Sequence, residues 1–262
     1  MATWSSRRKF LYGGTLLVVV IAIVGGIFFS LFYKAPTCYD RIMNGDEKGV
    51  DCGGSCIKLC QSTFLPAKIA WGGGKFEKVA DGLYNVAAYI VNPNTNAAAV
   101  KVPYKFSIYD GKGLIVTTRE GVIDIPAHRN TLAFEPAVLV SKRIPAKVTF
   151  EFLAPPLWFK SHDTLEGITI IDKKYSEDSK NSSLEVTLEN ESLLPYKNIT
   201  VSAVLSDKDG NTIGFSRTLI DSISPKSAGQ PHREIAPFTW PKSRNGEVVS
   251  IEALPVAVPV RD

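Results

Sequence analysis

The chain has 262 residues, 45% hydrophobic and 21% charged, with a formal net charge of +4. That length accommodates two sandwich-sized cores beside a membrane segment. Its Lys and Arg residues are scattered rather than gathered into a stripe, which leaves no electrostatic footprint for nucleic acid. Two Met, three His and sixteen Pro, with β-branched residues frequent after the first sixty positions, favour a mainly β chain over a helical one.

Residues Phe10 to Tyr33 read FLYGGTLLVVVIAIVGGIFFSLFY, a charge-free run of 24. As a helix it would be about 36 Å long, enough to cross a hydrocarbon core with some tilt. A cleaved secretory signal has a shorter apolar region, about 7 to 15 residues, and a small-x-small cleavage site; neither feature occurs here. Ala-Pro-Thr precedes Cys38 where a lipoprotein box would carry a leading Leu. The segment therefore reads as an uncleaved signal anchor. Arg7, Arg8 and Lys9 on one flank against Lys34 on the other put the N-terminus in the cytoplasm, because positive charge is retained there. Trp4 and Tyr12 near one end, and Phe28, Phe29, Phe32 and Tyr33 at the other, suit the two headgroup regions. Gly13-Gly14 and Gly25-Gly26 lack GxxxG spacing and read as glycines tolerated in a membrane helix. Residues 1–9 are then a cytoplasmic tail, 10–33 the transmembrane helix, and everything later extracytoplasmic.

A cysteine-rich module at 34–61 follows. It holds Cys38, Cys52, Cys56 and Cys60, all four cysteines of the chain, in the string CYDRIMNGDEKGVDCGGSCIKLC. An even count in a short Gly-rich segment outside the membrane reads as two disulfides stapling a region too small for its own core. Three pairings satisfy the sequence. Zinc is disfavoured, since the gaps between the last three cysteines are three residues and the compartment is oxidising. A thioredoxin-like role would require C-x-x-C. Calcium fits better: Asp40, Asn44, Asp46, Glu47 and Asp51 bring five oxygen-bearing side chains into one turn-rich stretch, although EF-hand spacing is absent. The competing reading is that these residues close Asx turns and keep a loop soluble.

The string C-x-D-x-x-x-N-G-D-E-x-G-V-D-C-G-G-x-C-x-x-x-C, Cys38 to Cys60, resembles a short cysteine-rich motif of many bacterial surface and envelope proteins. In uncharacterised single-pass membrane proteins of candidate-phylum bacteria that motif sits between a membrane anchor and β-rich domains. The run DGLYNVAAYIVNPN, Asp81 to Asn94, is similar to that group as well. Ile57, Lys58 and Leu59 make the last gap three residues where the motif usually has two. The resemblance implies an architecture and an envelope location; the group has no activity to transfer.

After Cys60 the chain turns to short alternating runs. Val102, Tyr104, Phe106 and Ile108 form one strand face and lead into Asp110-Gly111-Lys112-Gly113. Ile199, Val201, Ala203 and Leu205 do the same before Asp207-Lys208-Asp209-Gly210-Asn211. Asn92-Pro93-Asn94-Thr95 and Asn190-Glu191-Ser192 occupy matching places upstream, as Ile125-Pro126 and Ser224-Pro225 do downstream. Each unit closes on an alternating strand: Val148, Phe150 and Phe152, then Val249, Ile251 and Ala253. A period near a hundred residues predicts two tandem immunoglobulin-like β-sandwich domains, 62–156 and 157–262, divided at Ala154-Pro155-Pro156. With no cysteine in either, each must hold by apolar burial, with Trp71, Trp158 and Trp240 as the large anchors. Pro103 within a strand predicts a sheet edge.

No nucleophile, base and orienter set stands out. His128, His162 and His232 read as isolated loop histidines, with His128 and His232 in similar places of the two copies. Gly72-Gly73-Gly74 lacks the Lys-Ser/Thr of a phosphate loop and reads as a turn. Asn181-Ser182-Ser183, Asn190-Glu191-Ser192 and Asn198-Ile199-Thr200 match the glycosylation triplet, which matters only in a eukaryotic source. The sequence is therefore read as a mainly β, single-pass envelope protein that binds an extracytoplasmic partner or serves structurally, with no catalysis and no cofactor. Two alternatives stand beside it: calcium-dependent adhesion or assembly through the acidic cysteine module, and an enzyme with a site between the two sandwiches.

Overall fold

A computed structural model describes residues 4–33, 35–140, 143–241 and 247–258, and the side chains from Arg8 onward. The chain forms two compact units, Met1–Asp51 and Cys52–Asp262.

In the first unit, helix α1 runs Trp4–Phe32, and its stretch Arg8–Phe32 is long and apolar enough to cross a membrane. Leu, Val and Ile at successive positions leave it apolar all round, so its side chains stay exposed over that whole stretch. Two of its described polar side chains bond within the helix. Thr15 Oγ1 donates to Leu11 O and Tyr12 O, and Ser30 Oγ to Ile27 O. Phe28 stacks on Phe32 and Phe29 on Tyr33, each one turn apart. The helix begins earlier than the apolar run predicts, so Trp4 to Lys9 are its first turns. Lys34 and the side chain of Arg7 lie outside the described residues.

The second unit is mainly β. Its first half contains β1 (Lys68–Ile69), β2 (Lys75–Ala80), β3 (Leu83–Val91), β4 (Ala97–Asp110), β5 (Ile115–Ile125), β6 (Thr131–Leu139), β7 (Pro145–Phe152) and β8 (Trp158–Lys160). Strand β3 pairs with β1, β2 and β6, whereas β4 pairs with β5, β7 and β8, all antiparallel. Its second half contains β9 (Ile168–Glu177), β10 (Asn181–Asn190), β11 (Tyr196–Ser206), β12 (Thr212–Ile223), β13 (His232–Pro241) and β14 (Ser250–Val256). There β10 lies between β9 and β13, and β11 between β12 and β14. The halves repeat one connectivity: β2-β3-β6 with β5-β4-β7, then β9-β10-β13 with β12-β11-β14.

Each half encloses a core fed by both of its sheets. Val86, Ala88 and Ile90 of β3 meet Val102, Tyr104, Phe106 and Ile108 of β4 in the first; Leu184, Val186 and Leu188 of β10 meet Ile199, Val201, Ala203 and Leu205 of β11 in the second. These are the period-2 faces that the sequence displays. A third apolar cluster joins the halves: Ala87, Tyr89, Leu132 and Phe134 pack with Val204, Phe215 and Leu254, with Trp71 against Tyr89 and Phe215. Strand β3 is thus buried on both faces, which is why Val86 to Ile90 reads as an unbroken apolar run.

Two expectations are corrected. Trp158–Lys160, placed in the second domain by the sequence reading, forms β8 and pairs with Ala97–Ala99 of the first half. Pro103 is not on an edge, because β4 is central between β5 and β7. Its carbonyl accepts from Leu153 N, just past the end of β7. In an antiparallel ladder the N–H and C=O of one residue face the same side, so the missing donor of Pro103 falls in the gap between β7 and β8, where no ladder bond is due.

Candidate functional site

The acidic loop of the first unit is built as nested turns. Asp40 Oδ1 accepts from Ile42 N at 2.9 Å and Oδ2 from Asn44 Nδ2 at 2.9 Å. The Asn44 amide, then the Ile42 N–H, hold the Asp40 carboxyl below its usual range. Both Asp51 oxygens accept from Arg41 N, at 3.0 and 3.1 Å. Glu47 Oε2 accepts from Asn44 N and Asp51 N, each at 3.3 Å. Arg41 and Asp51 both have positive φ, and the bond between them ties down these two left-handed residues. Gly45 is required twice over, by φ of +60° and by Pro36, whose Cβ would lie 3.3 Å from an added Cβ. Of the five oxygen-bearing residues singled out, Asp40, Asn44, Glu47 and Asp51 are drawn into this network and Asp46 is exposed. Asn44 Oδ1 is enclosed without a hydrogen-bond partner. Asp40 with Ile42 closes an Asx turn, and Asp51 and Glu47 bond backbone N–H groups elsewhere in the loop.

All four cysteines are disulfide-bonded, and Cys52 is joined to Cys60 with the Cα atoms 5.1 Å apart. No thiolate remains for zinc or for redox chemistry of a free thiol. Within the second unit this disulfide brackets a segment joined to β8 by one isolated β-bridge. Leu59 N donates to Trp158 O at 3.0 Å, Lys160 N donates to Ile57 O at 2.8 Å, and Lys58 lies opposite Phe159. Ile57 packs with Phe159, Ala98 and Ala127, and Phe64 with Trp158. Residues 52–60 are therefore part of the β unit. Hydrophobic Ile57 and Leu59 around Lys58 carry that signal in period 2, masked by the cysteines on either side.

The junction between the halves is the other polar locality. Tyr89 Oη donates to Glu252 Oε1 at 2.7 Å and receives a bond from Asn130 Nδ2 at 3.1 Å. Tyr104 Oη donates to Glu135 Oε1 at 2.6 Å. Burial, and after it the neighbouring carboxylate, pushes both phenols well above the usual tyrosine range. Arg129 forms a two-pronged bond to Asp163, at 2.6 and 2.7 Å, and also donates to Leu165 O. Desolvation opposes ionisation of Asp163, but the Arg129 bonds and the Leu165 N–H outweigh it and lower its pKa. A cleft of about 200 Å³ opens here, lined in part by Asp124, Thr131, Asn198, Thr200 and Arg217. Arg217 lies over the Phe134 ring, and Asp124 accepts from Lys101 N. These groups hold side chains, backbone and ring faces together.

The histidines stay apart in role. His128 and His162 are exposed, and His232 faces Glu234 at 3.2 Å. Among the glycosylation triplets, Asn190 is fully buried and caps its loop, whereas Asn181 and Asn198 are exposed. Gly74 allows a close approach, since an added Cβ would meet Val148 Cγ1 at 2.7 Å.

No family model matches the chain, and no curated protein matches it. Solved structures with some likeness include a Bacteroides fragilis protein assigned as a beta-galactosidase (13% identity over 68% of this chain, TM-score 0.20). A beta-glucuronidase from glycoside hydrolase family 2 gives 12% identity over 87% and a TM-score of 0.20. An FMN-binding beta-glucuronidase from Facaelibacterium prausnitzii L2-6 gives 15% over 73% and 0.16. The chain spans 33%, 29% and 39% of their respective lengths. Scores this low assign neither fold nor activity.

Proposed function

We propose that the chain is a membrane-anchored, extracytoplasmic binding or structural protein of the cell envelope. In this reading α1 is an uncleaved single-pass anchor with its N-terminus in the cytoplasm, and the β unit projects outside as two immunoglobulin-like sandwiches. The observation that carries it is the pairing of a fully exposed apolar helix with two disulfides, which belong in an oxidising compartment. The repeated sheet connectivity supports the immunoglobulin-like assignment. The reading assigns no catalytic role. Supporting this, Tyr89 with Glu252 and Arg129 with Asp163 are engaged in fixing one half against the other, and Tyr104 with Glu135 ties β4 to β6.

The partner in this reading is another envelope protein, met by loops or strand edges of the β unit. The test is a crosslinking pull-down of the full-length chain from native membranes, with and without a calcium chelator. A reproducible envelope partner supports the reading, and loss of that partner on chelation would bring calcium into the contact through the acidic loop. Capture of nothing under either condition refutes the binding-protein reading.

A further inference from the structure

We propose that the loop from Thr37 to Met43 rests on the outer surface of the bilayer that α1 crosses, with Tyr39, Ile42 and Met43 among the lipid headgroups. The inference depends on the anchor reading of α1 and adds a second membrane contact to it.

Two observations within the first unit carry it. The loop turns apolar side chains outward. Its carboxylate Asp40 is engaged by Ile42 N–H, and just beyond it Glu47 and Asp51 are engaged by the N–H groups of Asn44 and Arg41. Its apolar side chains are left outside: Tyr39 is 81% exposed, Ile42 60% and Met43 59%. Three large apolar groups within five residues are what a loop in water normally hides or pairs. The second observation is reach. The 25-residue span Arg8–Phe32 is about 37 Å long at 1.5 Å per residue, some 7 Å more than a hydrocarbon core of about 30 Å. Its C-terminal end therefore stands at headgroup level. Tyr39 lies seven residues beyond Phe32, no farther than about 25 Å even if fully extended, and the chain turns at Cys38–Tyr39. An amphipathic tyrosine and a flexible methionine suit the headgroup layer.

The test uses the full-length chain in phosphatidylcholine vesicles doped with a lipid that carries a photoactivatable diazirine near its headgroup, with adducts mapped by mass spectrometry. Adducts are expected on α1 and, at comparable yield, on the peptide containing Tyr39, Ile42 and Met43. In the variant carrying Ile42→Asn and Met43→Asn, loop adducts should fall about tenfold while those on α1 persist, because loss of two apolar side chains costs more than one decade of partitioning. Adducts on α1 with none on the wild-type loop overturn the proposal, as does a loop protected in native membranes yet unlabelled by lipid, which would mean a protein covers it. Absence of adducts on α1 itself would instead refute the anchor reading.

Discussion

Replacing Asn92 by Ala should destabilise the β unit by about 3–4 kcal/mol, since three backbone groups lose their partner at roughly 1 kcal/mol or more each. Asn92 is 7% exposed. Its Nδ2 donates to Ala97 O at 2.8 Å and to Pro126 O at 2.6 Å, and its Oδ1 accepts from Asn94 N at 3.0 Å. Ala97 and Pro126 are buried, so water cannot readily replace the lost donor. Asn190 repeats the arrangement in the second half. It donates to Leu194 O at 2.8 Å and Ser224 O at 2.9 Å and accepts from Ser192 N at 2.9 Å, with the distant carbonyl again 34 residues along the chain. Asn92→Asp should cost at least as much as Asn92→Ala, because it sets a carboxylate oxygen against two carbonyls. The assay is urea unfolding of the full-length chain in detergent, followed by tryptophan fluorescence. With a slope of about 2–3 kcal/mol per M, the midpoint should fall by roughly 1–2 M for Asn92→Ala and again for Asn190→Ala. An Asn92→Asp variant as stable as wild type would refute the donor role and with it the reading of these two residues as equivalent caps.

Phe215→Ala should cost about 3–5 kcal/mol and uncouple the halves, so that one unfolding transition becomes two; calorimetry checks this, and an undivided transition in the variant would contradict the joining role of the third cluster. Asp163 has a folded pKa below its unfolded value, so its contribution is complete above about pH 4 and is lost as pH falls through the lowered folded value. Arg129→Met should remove that acid sensitivity, read as the difference in melting temperature between pH 6 and pH 3. Replacing Cys52 and Cys60 together by Ser should cost roughly 2–3 kcal/mol for so short a loop. Amide exchange at Leu59 and Lys160 should accelerate in that variant while exchange in β11 stays unchanged. Because the loop carboxylates already hold backbone N–H groups, the melting temperature is expected to be the same in millimolar calcium and in chelator; a calcium-dependent rise would show that the loop opens to bind the ion.

Much of the architecture was legible because it lies in local pattern. The charge-free run declared the long apolar helix, and the alternating faces at Val102–Ile108 and Ile199–Leu205 declared the strands that line the two cores. The internal repeat was visible in Asn92 and Asn190, whose side chains prove to make matching bonds. What could not be read depends on contacts distant in sequence. The apolar run Val86 to Ile90 was visible, but not that its second face meets Phe215 and Leu254 more than a hundred residues later. The pairing of Cys52 with Cys60 escaped because three connectivities satisfy four cysteines. The β-bridge at Lys58 was hidden by its brevity, and Pro103 misled because a proline marks a missing donor rather than an edge. At the acidic loop the residue types suit a cation or turns alike, and the backbone bonds accepted by Asp40, Glu47 and Asp51 depend on a loop path that the sequence does not display.

The central claim, an anchored chain whose β unit stands outside the cell membrane, is tested most directly by protease sidedness. Cells or protoplasts making the chain with an N-terminal and a C-terminal epitope are treated with protease before and after lysis, and the membranes are then washed with alkaline carbonate. The account predicts that the C-terminal epitope is lost from intact cells, while the N-terminal epitope survives on a carbonate-resistant fragment carrying α1. Survival of the C-terminal epitope until lysis, or release of the N-terminal fragment by carbonate, would contradict it.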